Sequence, residues 1–176
     1  EISKYLKTLP VPTIAWVNDK AYSAGILIAS ACDRIVMSPS AAMGDCAPIV
    51  PGQELEATER AKALSPILEE FRDNARQAGY DYAPFHAMCV LGVEVYYIQH
   101  KETGERRLVN QIDYQLMVNG REAAGAAGGF LGRLLGGSTA AGQTDPSRVG
   151  EVQREVAGED DLANWEPVTV LPSGDK

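Results

Sequence analysis

Ser23 stands in Ala21-Tyr22-Ser23-Ala24-Gly25, between a predicted strand and a short apolar helix. A serine at such a junction can lift its hydroxyl clear of a sheet edge. The N–H groups of Ala24 and Gly25 then open the helix where negative charge develops during acyl transfer. This is the logic of a nucleophile elbow, although the G-x-S-x-G form is absent. The residues alone leave a second reading open: a small residue beside a glycine also lets a helix pack closely on a strand.

A serine nucleophile needs a base. Two histidines are present, His86 and His100. His86 precedes the apolar run Ala87-Met88-Cys89-Val90 and is expected in the core or at its surface. His100 lies beside a hairpin loop and is expected to be solvated, and no spacing places either near Ser23. A lysine serves instead if an apolar pocket holds it neutral. Lys62, flanked by Ala61, Ala63 and Leu64, is the candidate, because Lys4, Lys7, Lys101 and Lys176 have polar or terminal neighbours and Lys20 belongs to a turn. The alternative for Lys62 is a stem laid over an apolar stripe with its ammonium in water. Glu54, Glu56, Glu59, Glu69 and Glu70 read as helix N-terminal charge and a solvated face. Asp33, before a strand, reads as a turn or capping residue. Cys32, Cys46 and Cys89 are odd in number and scattered, offering neither a disulfide framework nor a CxxC site. With no metal-ligand spacing and no glycine-rich phosphate loop, neither metal nor cofactor is expected.

The elements that must position these residues alternate. Val11 to Val17 is β-branched and apolar and reads as a buried strand, and Asn18-Asp19-Lys20 as a turn. Ala24 to Ala31 reads as about two turns of buried helix, and Arg34 to Ser38 as a second strand. The order predicts an α/β layer with a mostly parallel sheet. From Glu54 to Ala78 the apolar residues Ala61, Leu64, Leu68, Phe71, Ala75 and Ala78 step by three and four, with Gly79 as a stop. Pro66 either kinks this helix or starts a second one with Ser65 as its N-cap. Glu94 to His100 and Arg106 to Gln111 flank a five-residue loop and predict a β-hairpin. Trp165 to Leu171 reads as a further strand.

Composition sets limits. The 176 residues fit one ordinary domain, and a net charge of −8 argues against a nucleic-acid partner. No apolar run reaches the roughly 18 residues of a membrane helix. Nine of the seventeen glycines fall between Gly120 and Gly150, which marks residues 119–162 as a flexible glycine-rich insertion around the basic-apolar island Phe130 to Leu135. The expected organisation is a core over 1–118, that insertion, and a returning strand of the same domain over 163–176.

Taken together, Pro12 to Val17, Ala21 to Gly25, Ile26 to Ala31, Arg34 to Ser38 and Met43 to Ile49 resemble the core of NfeD-type membrane-bound serine proteases of the ClpP class. These are distant relatives of signal peptide peptidase A. The S-A-G and M-G-x-C-x-P-I segments carry the resemblance, which covers residues 10–80 well and the hairpin loosely. It implies a ClpP/crotonase-like layered α/β fold, partial and truncated at both ends. The first oxyanion strand-loop would precede Glu1, and the last catalytic-domain helix would follow Lys176.

The resemblance also implies an ATP-independent serine endopeptidase. Ser23 would be the nucleophile and Lys62, opening a long helix closed by Gly79, the general base. The backbone N–H of Ala24 would bind the oxyanion, and Gly25, Gly44 and Pro48 would contact substrate. The implied substrate is a hydrophobic stretch of a membrane-associated protein, with a stomatin-like protein as a possible partner. A homo-oligomer, a membrane anchor outside this chain and an extracytoplasmic position are expected too. Two alternatives stand beside it: a crotonase-like acyl-CoA hydratase or isomerase, where A-x-G-G-G replaces residues 21–25, and a non-catalytic ClpP-like assembly module.

Overall fold

The computed structural model of the chain describes residues 1–48, 56–120, 155 and 163–171. It is mixed α/β with small sheets and divides into two compact units that meet in sequence at Leu91 and Gly92. The core expected over 1–118 spans that boundary. The expected 119–162 insertion lies outside the described residues apart from 119, 120 and 155.

The first unit contains α1 (Ile2–Leu6), β1 (Ile14–Val17), β2 (Lys20–Tyr22), α2 (Ala24–Ala29), β3 (Arg34–Met37), β4 (Ala42–Gly44), α3 (Ala57–Ala78) and α4 (Ala83–Ala87). β1 pairs in parallel with β3, and β2 in parallel with β4. Both pairings need a crossover, and α2 lies within each. β1 starts at Ile14 rather than Val11 because Thr13 is committed elsewhere. Its N–H and hydroxyl donate to the Asp33 carboxylate at 2.7 and 2.9 Å, and the Asp33 N–H returns to the Thr13 hydroxyl at 3.1 Å. The Thr13 N–H first, then its hydroxyl, holds the Asp33 carboxyl below its ordinary pKa. The expected turn at Lys20 is instead the start of β2. β2 and β4 are three residues each, too short to show a period of two.

The core of this unit lies along α3. Ala61, Leu64, Leu68, Phe71 and Ala75 are buried on one stripe, and the last four pack in one cluster with Ile26 and Ala29 of α2 and with Phe85 and Cys89. The 22-residue helix runs through Pro66, so one helix forms rather than two. Pro66 is exposed, so water can satisfy the carbonyl that the missing N–H leaves. Gly79 takes the left-handed C-cap at φ 73°, which a residue without Cβ adopts freely. Ala15 and Ile35 turn the inner face of β1 and β3 to this core. The outer face leaves Ile14, Trp16 and Val36 exposed.

α1 is tied down by charge. The Lys7 ammonium donates to Asp73 at 2.7 Å, Asn74 at 2.8 Å and Glu70 at 3.2 Å, and the Ser3 hydroxyl also donates to Glu70. Asn74, fully buried, passes the link to α2 by donating to the Ser30 hydroxyl at 2.9 Å. Burial opposes the Lys7 charge, but hydrogen bonds to Asp73 and Glu70 outweigh it and raise its pKa. The Ser3 hydroxyl and then Lys7 lower that of Glu70, and Lys7 lowers that of Asp73. Carboxyls depressed in the folded state take up protons first in the unfolded chain. The stability they contribute is complete above the ordinary carboxylate range near about 4 and is lost as pH falls through it. The Lys7 contribution persists until alkaline pH. Thermal unfolding between pH 7 and pH 3 should show this acid limb, and Lys7→Met should flatten it. A limb equally steep in the variant would refute the assignment.

The second unit contains β5 (Val95–His100), β6 (Arg106–Asn110), a helix α5 over 111–120, and β7 (Trp165–Leu171). The sheet is antiparallel in the order β6-β5-β7. The hairpin forms as expected, but its second strand stops at Asn110. The Asn110 carboxamide accepts the N–H groups of Ile112 and Asp113 at 2.9 and 3.0 Å and so caps the helix. Ile98, Val109, Met117 and Trp165 form its core. His100 is buried, not solvated: its Nδ1 accepts the Glu102 and Thr103 N–H groups of the hairpin loop, and its ring meets Trp165 edge-on at 5.0 Å.

Candidate functional site

Ser23 is the N-cap of α2, and its backbone is unusual. It sits at φ 52°, ψ −118°, and its side chain makes no capping hydrogen bond. An N-cap serine ordinarily lies in the β region and spends its hydroxyl on the helix's first N–H groups. Here neither holds. A side chain at this positive φ costs of order 1–3 kcal/mol, and such strain clusters where function requires it. The turn is sharp because β2 ends at Tyr22 and α2 begins at Ala24, leaving Ser23 alone to reverse the path.

The neighbouring chain holds the turn. The Ser23 N–H donates to the Gly44 carbonyl at 3.0 Å, extending the β2–β4 ladder by one rung. The Ser23 carbonyl accepts the Leu27 N–H at 3.4 Å and faces the Cys46 thiol at 3.8 Å. Ser23, Ala24 and Gly25 are exposed above the buried Ile26. The Ala24 N–H opens the helix and has no partner within it. A strained serine with an exposed, uncapped hydroxyl beside such an N–H can attack a carbonyl and meet the developing oxyanion.

Gly44, whose carbonyl accepts the Ser23 N–H, has an unusual backbone of its own. Its φ of +143° is one that L side chains rarely adopt, and a Cβ there would rest at 3.5 Å from Met88 Cγ, an ordinary contact. The cost of a side chain is therefore conformational. Gly44→Ala should destabilise by about 1–3 kcal/mol, read as a lower urea midpoint. Gly25→Ala, whose Cβ would sit 3.7 Å from Ala21 Cβ at an ordinary φ, should be close to neutral. Equal losses in the two would remove Gly44's special standing.

Lys62 lies exposed on α3 and makes no hydrogen bond or ion pair among the described residues. Pro48 is half-buried in the chain that follows β4. The structure thus brings Ser23, Ala24, Gly25 and Gly44 together by backbone contact, while no hydrogen bond joins Lys62 or Pro48 to them. His86 is buried, on the Tyr82 ring at 5.4 Å. Among the described residues no group of His, Cys, Asp and Glu could hold a metal ion.

The residue that sequence reasoning passed over is Cys46. Its thiol lies under the elbow, 3.4 Å from the Gly44 carbonyl as well as facing that of Ser23. Its place two residues after Gly44 was the available signal. The Cys89 thiol first, and then the Ser23 backbone, lower the Cys46 pKa. That same pairing and burial push Cys89 up.

The sequence profile described as NfeD1b, N-terminal domain, matches residues 1–111, which include every residue of the elbow and Lys62. The chain is 37% identical over 94 residues to the membrane protein NfeD1b of Bacillus subtilis (strain 168), an alignment covering 53% of this chain and 20% of that protein. The chain thus spans about a fifth of that relative's length. No solved structure matches it. No helix among the described residues is long and apolar enough to cross a membrane.

Proposed function

From its membership of the NfeD1b N-terminal domain family, to which this chain belongs, we propose that it carries the nucleophile of a membrane-associated serine endopeptidase. The observation that supports this reading is the Ser23 elbow: positive φ, a hydroxyl unspent on capping, and an open helix N–H beside it. In the cycle, Ser23 Oγ gives its proton to neutral Lys62 and attacks a peptide carbonyl. The Ala24 N–H holds the oxyanion with a second donor from outside the described residues. Lys62 then protonates the leaving amine, and water hydrolyses the acyl-enzyme. Ser23, Lys62, water and substrate carry every proton and electron pair, independently of ATP.

Lys62 is exposed, so it must be desolvated when it acts. A hydrophobic stretch of a membrane-associated protein closing over α3 would expel that water, and this is the substrate class we assign. Gly25, Gly44 and Pro48 line its path. A stomatin-like protein fits as partner or substrate. The fold proposed for the whole is the ClpP/crotonase-like layer, in a protein placed on the extracytoplasmic side. The outer face of β1 and β3 supports a homo-oligomer, because parallel strands are ordinarily covered on both faces and Ile14, Trp16 and Val36 are not.

The exposure of Lys62 also favours a second reading, a non-catalytic assembly module. A fluorophosphonate probe separates them. The protease incorporates one label on Ser23 in the full-length protein, located by peptide mapping. Absence of labelling under conditions where the protein is folded favours the module.

A further inference from the structure

Two of the three cysteines share one place. Cys46, in the loop after β4, and Cys89, in the turn after α4, are buried in the same core cluster. The Cys46 N–H donates to the Met88 carbonyl at 2.9 Å. That bond sets the Cys46 backbone against the residue that precedes Cys89 in the chain. The two side chains are close enough to act on each other's ionisation, Cys89 lowering the pKa of Cys46 and Cys46 raising that of Cys89. Cys32 is buried elsewhere, its thiol directed to the Ile28 carbonyl at 3.8 Å within its own chain turn.

We infer that Cys46 and Cys89 are an oxidation site, a dithiol that closes to a disulfide beneath the Ser23 elbow and slows the reaction of Ser23. Hydrogen peroxide is the oxidant class. The Cys46 thiolate attacks one peroxide oxygen, the O–O bond breaks, and Cys46 becomes a sulfenic acid as hydroxide leaves. The Cys89 sulfur then attacks the Cys46 sulfur, the S–O bond breaks and water departs. Two thiols and one peroxide give one disulfide and two waters. The order follows from the environment: Cys46 is held toward its thiolate and Cys89 away from it.

Closure changes what holds the elbow. In the dithiol state Cys46 Sγ contacts the carbonyls of Gly44 and Ser23. In the disulfide its proton is gone and its sulfur is bonded to Cys89, so the thiol no longer donates to this pair of carbonyls. The loop that accepts the Ser23 N–H becomes tethered to the turn after α4. The effect on Ser23 rests on the serine-nucleophile reading above, whereas formation of the disulfide does not.

The experiment treats the full-length protein with stoichiometric hydrogen peroxide, alkylates the remaining thiols under denaturing conditions and maps peptides by mass spectrometry. The expected result is a Cys46–Cys89 linked peptide with Cys32 alkylated. A thermal midpoint higher by roughly 5 °C or more should revert with dithiothreitol. Fluorophosphonate labelling of Ser23 should slow roughly three- to fivefold, the loss of one weak hydrogen bond. Cys89→Ala should remove the linked peptide, the rise and the slowing together. Cys46 and Cys89 recovered as free alkylated thiols, or linked to other cysteines, would overturn the site. A disulfide with unchanged labelling overturns its coupling to Ser23. A disulfide in a protein that never labels sinks the serine reading and leaves the oxidation site standing.

Discussion

Ser23→Ala should abolish peptide cleavage and fluorophosphonate labelling, a loss on the order of 10⁶-fold in kcat, while folding stability moves by no more than about 0.5 kcal/mol. The two halves have one cause. An ordinary N-cap serine changed to alanine costs about 1 kcal/mol because a helix N–H loses its partner. The Ser23 hydroxyl makes no such bond and is exposed, so its removal leaves nothing unsatisfied. Alanine also inherits the same backbone strain as serine. Glycine does not: Ser23→Gly should stabilise by about 1 kcal/mol, because φ 52° is open to a residue without Cβ. A site that is inactive as glycine and more stable for it keeps its side chain for chemistry. Lys62→Ala and Lys62→Arg should both lose cleavage, the latter because a guanidinium does not give up its proton. Retained cleavage in Ser23→Ala would end the protease reading. Retained cleavage in Lys62→Arg would leave Ser23 in place and demand another base. A stability loss above about 1 kcal/mol in Ser23→Ala would show that the hydroxyl was capping after all.

The elbow was legible before the structure because its parts are local. A strand, a serine before Ala-Gly and a small-residue helix fit within a dozen residues, and each part has its own signature in residue type. The α3 stripe and the hairpin were legible for the same reason, through periods that repeat several times. The rest depended on contacts that no local pattern encodes. β2 and β4 are too short to repeat, and they exist because each pairs with the other. α1, five residues long, is too short to stand alone and is held by Lys7 reaching α3. Val11 to Thr13 look like strand, yet Thr13 is claimed by Asp33, twenty residues on. Asn110 turned a strand into a helix with one side chain. His100 looked solvated because the loop that buries it folds back over it. Cys46 is the same case at the site itself: it was counted as a scattered cysteine, and only its bond partners at Met88 and Ser23 give it a place. At Lys62 the local reading left two choices, and the structure gives the exposed position without the dry pocket that a base requires.

Phe71→Ala should cost about 3–5 kcal/mol, the largest stability loss of any single side chain in the first unit. Phe71 is wholly buried, midway along the apolar stripe of α3, between Leu68 and Ala75. Its ring stacks on Phe85 of α4 at 5.4 Å with planes 9° apart, and the same cluster holds Ile26 of α2 and Cys46 and Cys89. Truncation removes the transfer energy of the ring and leaves a cavity that three helices border. α3 is continuous through Pro66 and cannot bend inward without breaking further bonds, so little of that cavity closes. Against a total stability of about 5–15 kcal/mol, the loss is about a fifth or more of what holds the domain. Leu91→Ala is the control: at 96% exposed, it should change stability by less than about 0.5 kcal/mol. Phe71→Leu should fall between, because a smaller apolar side chain refills part of the space. Urea unfolding reads all three, with slopes unchanged and midpoints separated. The consequence reaches the elbow, because Ile26 sits on Phe71's side of α2 and Ser23 begins that helix. Fluorophosphonate labelling of Phe71→Ala should therefore fall at temperatures where the parent is still fully labelled, and recover on cooling. A variant that unfolds like the parent would show that the cavity collapses and that α3 is not the rigid spine the packing describes.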